Sequence, residues 1–375
     1  MIVRILVAAA AVAALTACAD EGGSERPVAS PHGSAPSDGV PDGGLPTPSL
    51  SPGPAKWDQA AEAGDQSSLN SVIAVGPAEV WASGWHHEID PLILRWTGER
   101  WSQAPLPSGA SDHVDLLAAS RAGQVWTFAG GRAWRWTGGW SSVGGTVGAS
   151  NNPVDAAAVA GPDAAWAAGG GTRHGKPAFL LHWSGGKWSP VPLPPQAEIH
   201  AMDARSPDDA WAVGTTDGRV MTMHWDGDRW TSVPAPPSAA WGSLEKVVAV
   251  SANEVWAAGS TGGRTSQAIL LRWDGRAWRP QPIPSGISAF TVLAADRHGG
   301  VWTSIKPDDR SGDSDVRTPI AHFDGRTWLS ETVPGNPPGA WVEDMAWLPN
   351  TNRAVAVVDT PDMEEDNMGY AWMRH

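Results

Sequence analysis

Short apolar segments recur throughout residues 56–375, and each is followed closely by Gly, Asp or Pro. In Val255-Trp256-Ala257 and in Leu270-Leu271-Arg272-Trp273, for example, the apolar run ends within a few residues. None of these segments has the spacing of apolar residues that marks an amphipathic helix. The pattern therefore predicts a chain of short β-strands joined by turns.

Trp residues repeat along this region with a regular period. The first aromatic position of each unit lies in a segment such as Val-Trp-Ala, and it is occupied by Trp81, Trp126, Trp166, Trp211, Trp256 and Trp302. The successive spacings are 45, 40, 45, 45 and 46 residues. The second position is occupied by Trp96, Trp136, Trp183, Trp225, Trp273 and Phe323, and the third by Trp101, Trp140, Trp188, Trp230, Trp278 and Trp328. Such a period indicates a repeated supersecondary unit.

Each unit is predicted to contain four strands, A to D. The turn in Trp225-Asp226-Gly227-Asp228-Arg229-Trp230 has the Asp-Gly pair that is typical of a β-hairpin between strands C and D. In the fifth unit we expect strand A at 244–250, B at 255–259, C at 268–273 and D at 277–281. Four strands per unit predict an all-β, seven-bladed β-propeller, with the repeated Trp side chains packed between neighbouring blades.

The last unit predicts how the ring closes. Strands A, B and C are expected at 342–348, 353–358 and 370–373, but the sequence ends at His375 without a strand D. Lys56-Trp57-Asp58-Gln59-Ala60 matches the strand D segment Arg100-Trp101-Ser102-Gln103-Ala104. The amino-terminal strand is therefore predicted to complete the seventh blade, which would remove an exposed sheet edge. With Trp57 and Trp372 included, 19 of the 24 Trp residues occupy repeat positions.

The repeat resembles that of a group of secreted actinobacterial propellers, which are distantly similar to sialidase-like and galactose-oxidase-like propellers. Asp209-Ala210-Trp211-Ala212-Val213-Gly214 and His224-Trp225-Asp226-Gly227 carry the likeness, which covers residues 56–375. A sialidase-like site would need a Tyr nucleophile, and the only Tyr, Tyr370, falls in a predicted strand C. A copper radical site like that of galactose oxidase would need a Tyr and a Cys close together, and the only Cys, Cys18, lies in the amino-terminal segment, where the resemblance to a lipobox implies that it carries a lipid. The resemblance therefore implies the fold and no particular activity.

The amino terminus has the features of a lipoprotein signal. Arg4 precedes an apolar run at 5–14, which is too short to span a bilayer, and Leu15-Thr16-Ala17-Cys18 matches the lipobox of bacterial lipoproteins. The resemblance implies cleavage after Ala17, lipidation of Cys18 and a location on the membrane, outside the cytoplasm. An ordinary secretory signal is the alternative. Residues 18–55 begin with the lipidated Cys and are otherwise rich in Pro, Gly and Ser, so we expect a disordered tether that leads to the propeller at 56–375.

Composition excludes several classes of function. The chain has 375 residues and a formal net charge of −14, which disfavours binding to nucleic acid. Its single Cys rules out an intramolecular disulfide and a cysteine-based zinc site. No catalytic or phosphate-binding motif is present. Titratable residues of the predicted A strands are spread around the ring without forming a motif: His113, Asp115, His200, Asp203, Glu245, Asp296, Glu343 and Asp344.

Candidate ligand-binding residues lie where the B–C and D–A connections meet one face of the ring. Trp241 and Trp341 precede strand A of blades five and seven, and Trp85 ends strand B of blade one. These flat side chains can stack on a sugar ring or a peptide, and the alternative is that each caps its own blade. The loop after Trp85 adds His86, Glu88 and Asp90 as further candidates. His86 and His87 with Glu88 could also supply metal ligands, but adjacent side chains of an extended segment point in opposite directions, so an exposed loop is the favoured interpretation.

Acidic loops of blades six, seven and one would share one sector of that face. Oxygen ligands at this density can hold Ca²⁺, although their spacing matches no calcium loop. The alternatives are a solvated acidic surface and a basic partner. The candidate metal ligands are Asp308, Asp309, Asp313, Asp315, Glu364 and Asp366.

These observations predict a monomeric, membrane-anchored propeller that binds or scaffolds a protein or glycan ligand. No resident cofactor is expected, except that the acidic loops could hold Ca²⁺. A carbohydrate-active enzyme, hydrolase or lyase, on the same fold is one alternative. A solute-sensing or envelope-assembly lipoprotein is another.

Overall fold

Seven antiparallel β-sheets follow one another around a central channel. The structure is a computed structural model, and it describes residues 47–53, 56–64, 66–87, 90–110, 114–148, 152–262, 266–307, 319–333, 340–360 and 368–375. The first strand of each sheet contacts the first strands of both neighbouring sheets, and the seventh sheet contacts the first. The predicted seven-bladed β-propeller of four-stranded blades is confirmed.

The strands of the first four blades pair in chain order. Blade one contains β3 (Ser67–Gly76), β4 (Glu79–His86), β5 (Asp90–Trp96) and β6 (Trp101–Gln103). Blade two contains β7 (Leu116–Ala119), β8 (Val125–Ala129), β9 (Arg132–Trp136) and β10 (Trp140–Ser142). Blade three contains β11 (Val154–Gly161), β12 (Ala164–Gly171), β13 (Lys176–Ser184) and β14 (Lys187–Pro190). Blade four contains β15 (Ala197–Ser206), β16 (Asp209–Thr216), β17 (Arg219–Trp225) and β18 (Trp230–Ser232).

The last three blades include both strands of the amino-terminal segment. Blade five contains β19 (Ser243–Ser251), β20 (Glu254–Ser260), β21 (Ala268–Trp273) and β22 (Trp278–Pro280). Blade six contains β23 (Ile287–Ala295), β24 (Val301–Pro307), β25 (Ile320–Phe323), β26 (Trp328–Glu331) and β1 (Leu50–Pro52). Blade seven contains β27 (Trp341–Trp347), β28 (Ala354–Thr360), β29 (Met368–Arg374) and β2 (Trp57–Glu62).

Very little of the described chain is helical. One 3₁₀ turn at Pro237–Ala239 joins blades four and five. No helix among the described residues is long and apolar enough to cross a membrane.

The Trp side chains fill the spaces between blades, as predicted. Trp81 of blade one lies with its ring centroid 5.0 Å from that of Trp136 and 5.7 Å from that of Trp140, both in blade two. The same contact repeats between the later blades, and in blade five the partners of Trp256 are Phe323 and Trp328. Trp81, Trp126, Trp166 and Trp256 are fully buried. Such edge-to-face aromatic pairs add to the large apolar area that each Trp buries.

The ring closes through the amino-terminal strand, which confirms the prediction made from Trp57. β2 pairs antiparallel with β29, with Trp57 opposite Arg374. The Trp57 ring then meets Trp302 of blade six at 6.5 Å, so it occupies the place that a strand D Trp occupies in other blades. Closure leaves no open edge between the first and last blades.

The structure corrects the predicted extent of the tether. Residues 18–55 were expected to have no regular structure, but β1 pairs in parallel with β26, at the outer edge of blade six. The Gly53 N–H continues this pairing by donating to the Ser330 carbonyl at 2.6 Å. A three-residue strand that ends in Pro has no detectable periodicity, and its pairing depends on an edge more than 270 residues away in the sequence.

Candidate functional site

The innermost strands of all seven blades line the channel and bring polar residues to one of its mouths. These A strands are β3, β7, β11, β15, β19, β23 and β27, and together they surround a cavity of about 350 Å³. We call the side on which the A strands begin the upper face. Because neighbouring strands of a blade are antiparallel, the B strands end and the C strands begin on this face, and the connection from strand D to the next strand A crosses it.

A β-bulge near the start of strand A distinguishes the upper mouth from the rest of the channel. In six blades the register between strands A and B skips one residue of strand A at this point. A bulge leaves its extra residue outside the ladder and re-aims the side chain. The skipped residue is polar in five blades: Asn70, Asp155, His200, Glu245 and Glu343. In blade six the equivalent shift falls between Phe290 and Leu293, where Thr291 stands eleven residues before Trp302. Asp115 stands at the equivalent place in blade two, just before β7.

Glycines of strand B make these bulges possible. Gly214 lies three residues after Trp211, and a Cβ atom at this position would overlap the carbonyl oxygen of Glu198. Gly84, Gly169 and Gly259 are equivalent in blades one, three and five, and a Cβ atom there would clash in the same way with strand A. The Gly of the Trp-Ala-x-Gly repeat therefore allows the close backbone approach that positions the polar ring.

His200 and Glu245, bulged residues of adjacent blades, contact each other at the mouth. His200 Nδ1 lies 3.1 Å from Glu245 Oε1 and 2.8 Å from the Ser243 hydroxyl. The Ser243 hydroxyl also donates to Glu245 Oε1 at 2.6 Å, and Arg173 from blade three donates to Glu245 Oε2 at 2.7 Å. Burial by itself raises the pKa of Glu245, but these hydrogen bonds and charges outweigh it and lower the pKa to about 2.

Glu198 completes this cluster from the start of β15. Its Oε1 accepts the Thr172 N–H at 2.9 Å, and its Oε2 lies 3.9 Å from His200 Nε2. Burial opposes ionisation, but the Thr172 hydrogen bonds and the charges of His200 and Arg173 give a net lowering of the pKa of Glu198. Both carboxylates of the cluster are therefore ionised at neutral pH.

The pKa of Glu343 is shifted upward, in the opposite direction to those of Glu198 and Glu245. Burial is the largest influence on this carboxyl group, the charge of Asp359 is the next, and Asp344 adds to both. Lys246 opposes them, but the pKa of Glu343 still rises to about 7. The Trp341 indole N–H donates to Glu343 Oε1.

Two predicted ligand-binding residues are exposed on the upper face. Trp241 is 58% exposed and Trp341 is 39% exposed, and no other described Trp is among the exposed large apolar residues. The Trp241 ring lies 4.0 Å from the Arg219 guanidinium, and the two residues form an isolated β-bridge. Trp241 therefore partly caps blade four while its other side remains open. The binding role predicted for both Trp residues stays a prediction.

Trp85 lies deeper than the other two. It lines a cavity of about 400 Å³ at the upper mouth, together with the polar ring residues Asn70, Asp115 and Asp155. Its side chain is partly buried, and its residue pairs with Ser68 and Pro91 in the ladder. The structure therefore places Trp85 beside the channel rather than on the open surface.

The loop of blade one contributes a separate groove. His86, His87 and Asp90 line a space of about 590 Å³ with Leu106. His87 Nδ1 lies 3.8 Å from Asp90 Oδ2, and both side chains are well exposed. Glu88 lies outside the described residues, and no group of three or more His, Cys, Asp or Glu side chains in the described ranges is arranged to hold a metal ion.

The predicted calcium ligands all lie outside the described residues, in 308–318 and 361–367. Cys18 also lies outside them. The predictions for these seven residues remain predictions.

The structure contradicts the expectation that titratable residues of the A strands are merely scattered. His200 and Glu245 are in contact, and Glu198, Ser243 and Arg173 join them although the sequence did not single them out. A signal was present in the repeat. In each of the first five blades a polar residue stands eleven positions before the strand B Trp, as His200 does before Trp211.

Comparisons with known proteins agree with the fold and identify no family. No protein-family model matches the chain, and no curated protein matches its sequence. Solved structures that resemble it are β-propellers. A catalytically inactive variant of virginiamycin B lyase from Staphylococcus aureus, solved with quinupristin, has a TM-score of 0.59 at 11% identity, covering 85% of this chain and 99% of that chain.

Two further structures show the same architecture. The structure of U3-55K has a TM-score of 0.58 at 13% identity and covers 85% of this chain and 99% of that one. A chain of a mitotic checkpoint complex has a TM-score of 0.53 at 13% identity, and the match covers 92% of this chain and 96% of that one. At these identities the likeness shows the fold alone.

Proposed function

We propose that this protein is a lipid-anchored, extracytoplasmic scaffold that binds a protein partner on the upper face of its propeller. The observation that carries the proposal is the contrast between the repeated Trp residues and two Trp residues outside the repeat. Nineteen stabilise the ring, whereas Trp241 and Trp341 are exposed on a single face. Exposed large aromatic side chains are typical of binding surfaces, where they supply contact area at low entropic cost.

The anchor is supported by the sequence alone. The only Cys of the chain stands at the one position that the lipobox requires, and a segment rich in Pro, Gly and Ser follows it. With Leu50–Pro52 paired to blade six, the tether available to the anchor would end near residue 49.

A protein partner is favoured over a glycan because the upper face is acidic as well as aromatic. Asp115, Asp155, Glu198, Glu245 and Asp344 lie at or near the mouth, and protein interfaces use such complementary charge to select and orient partners.

Site-specific photocrosslinking in the native host tests the binding face. A benzoyl-phenylalanine residue is placed at Trp241 or Trp341, and at the exposed Asp228 on the lower face as the matched control. Protein adducts are expected at the first two positions and not at Asp228. Adducts at all three positions alike, or at none, would contradict the proposal, and a shift of Trp fluorescence with oligosaccharides that Trp341→Ala abolishes would favour the glycan alternative.

The anchor is tested by labelling with an alkyne fatty acid and by fractionation. The wild-type chain is expected to be labelled and to sediment with membranes, and Cys18→Ser is expected to lose both properties. A Cys18→Ser chain that stays with membranes would refute the anchor without affecting the binding face.

One observation favours an enzyme as the second candidate. Glu245, with a pKa lowered to about 2, and Glu343, with a pKa raised to about 7, belong to the same polar ring. Carboxyl groups whose pKa values are pushed apart are typical of acid–base pairs in glycoside hydrolysis. Release of reducing sugar from envelope glycans by the wild type, lost in Glu343→Gln, would support this candidate.

A further inference from the structure

The B–C hairpin of blade three ends in three consecutive residues that each contact a carboxylate at the upper mouth. The first donates its backbone N–H at 2.9 Å, the second donates its guanidinium at 2.7 Å, and the third places an imidazole nitrogen 2.8 Å from its partner. In chain order the pairs are Thr172 with Glu198, Arg173 with Glu245 and His174 with Asp155. These carboxylates belong to blades four, five and three, so the tip of one hairpin is fastened to three blades.

The base of this hairpin has a backbone that can rotate. Gly170 and Gly171 have φ values of +81° and +91°, and the register between β12 and β13 is shifted at this point. In blade four the same two positions are occupied by Thr215 and Thr216. Paired glycines adopt many backbone conformations at low cost, and residues at the end of an element that absorb such changes are typical of hinges.

His200 lies between two of the carboxylates that the hairpin tip contacts. Its Nδ1 atom is 3.1 Å from Glu245 Oε1, and its Nε2 atom is 3.9 Å from Glu198 Oε2. Arg173 and Thr172 hold the other oxygens of these two carboxylates. The His200 side chain is only 6% exposed, so the closed hairpin and the two carboxylates together keep it covered.

The hairpin tip also forms part of the wall of a groove of about 1000 Å³ between blades three and four. Gly171, Thr172 and Gly175 line this groove together with Glu198. His200, next to Glu198, lines the channel cavity instead. Movement of the tip away from the mouth would therefore connect the groove with the channel.

The ion pair that fastens the tip is strong enough to hold it and weak enough to open. The Arg173 side chain is 51% exposed and the Glu245 side chain is 31% exposed, and ion pairs at such exposure contribute little to stability. We propose that residues 171–175 form a lid, which is latched over His200 by these carboxylates and opens about the two glycines to join the groove to the channel mouth. The latch lies within one chain, so the lid does not depend on the proposed function.

Hydrogen exchange of the full chain, followed by mass spectrometry, tests the latch. The Thr172 N–H is bonded to Glu198 and the Gly170 N–H to Asp155 Oδ2, so their exchange reports the fraction of open lid. Arg173→Ala and Glu245→Gln are each expected to speed the exchange of residues 170–175 about fivefold, the change that corresponds to loss of a partly exposed ion pair. Raising NaCl from about 0.05 M to about 0.5 M should speed this exchange in the wild type and have less effect in either variant.

Two controls separate the latch from general loosening of the fold. The B–C hairpin of blade four, residues 215–219, has no ion pair among the described residues, and its exchange should stay unchanged in both variants. Arg276→Ala removes an exposed Arg from the lower face and should leave exchange of the lid unchanged. Melting temperatures confirm that the variants are folded, and the wild-type salt series serves if a variant is not.

Hydroxyl-radical footprinting reads the exposure of His200. Its oxidation, measured against that of the 66% exposed side chain of His87, should rise about fivefold in Arg173→Ala, in step with the exchange of the lid. Unchanged exchange of the lid in either variant, or equal acceleration in the lid and in the blade four hairpin, would overturn the inference. Faster exchange of the lid without greater oxidation of His200 would also overturn it, because the lid would then not cover this residue.

Discussion

A buried ion pair between blades six and seven is expected to hold the ring closed. The Glu331 side chain is only 1% exposed and accepts two hydrogen bonds from Arg374, each of 3.0 Å. The Trp57 indole N–H donates to the same carboxylate at 2.9 Å. Arg374 in turn lies 4.4 Å above the ring of Trp302. One carboxylate therefore joins β26, β29 and the amino-terminal strand β2.

Replacing either partner leaves the other charge buried and unpaired. Loss of one member of such a pair costs about 3–5 kcal/mol of unfolding free energy. Unfolding entropy of about 2.1 cal/mol/K per residue gives about 0.7 kcal/mol/K over residues 56–375, so we expect Glu331→Gln and Arg374→Met each to lower the melting temperature by about 4–7 °C. The double variant should lose less than the sum of the two, by about 2 kcal/mol, because the same interaction is removed twice.

Thermal unfolding followed by Trp fluorescence measures these shifts. Glu99→Gln and Arg276→Met change exposed residues of the same types and should shift the melting temperature by no more than about 1 °C. Shifts below about 1 °C for Glu331→Gln and Arg374→Met, or additive effects in the double variant, would refute the reasoning that this pair locks the ring.

Three further predictions concern the closure, the bulges and Glu343. Deleting residues 367–375 removes β29, which pairs with both β28 and β2, and should lower the melting temperature and solubility of the whole propeller; an unchanged melt would disprove closure through this blade. Gly214→Ala forces a Cβ atom against Glu198 and should destabilise the fold by about 1–3 kcal/mol in urea unfolding, whereas Gly161→Ala, where nothing lies nearby, should have little effect; equal effects would contradict the role assigned to the bulge. Burial and the charges of Asp359 and Asp344 raise the pKa of Glu343 to about 7, although Lys246 opposes them. Because this pKa is higher in the folded than in the unfolded protein, the contribution of Glu343 to stability is at its full value below about pH 4.5 and is lost as the pH rises through about 7. Glu343→Gln should therefore raise the melting temperature at pH 8 and not at pH 4.5, and a parallel pH profile for the two proteins would count against the shift.

The repeat made most of the fold predictable because each blade carries its own aromatic markers. The strands expected at 255–259 and 268–273 in blade five are observed at Glu254–Ser260 and Ala268–Trp273. Closure was equally predictable, since Trp57 stands in a segment that matches a strand D. β1 was not, because its pairing is made with the edge of blade six and leaves no mark in its own three residues.

The candidate site was harder to predict because its residues are close only in the folded ring. His200 and Glu245 are 45 positions apart, which is one repeat, so the spacing that aligned the Trp residues also places these two in neighbouring blades. The bulge that turns both toward the mouth is a feature of pairing between strands and does not change the apolar pattern of either strand. Arg173 comes from the loop after β12, where no repeat position marks it.

In this propeller, different positions of the repeat determine the stability of the ring and the chemistry of the channel mouth. The Trp positions are nearly constant around the ring, and they pack the blades together. The bulge position, in contrast, holds Asn70, Asp115, Asp155, His200, Glu245, Thr291 and Glu343, which differ in charge and in hydrogen-bonding capacity. Because these side chains lie outside the interblade cores, their replacement by residues of similar size should alter the mouth without disturbing the Trp contacts. Contacts such as that between His200 and Glu245 arise because the ring places equivalent positions of adjacent blades side by side. A repeat that is uniform in its core can therefore carry an asymmetric site, and its chemistry depends on which polar residue each blade presents.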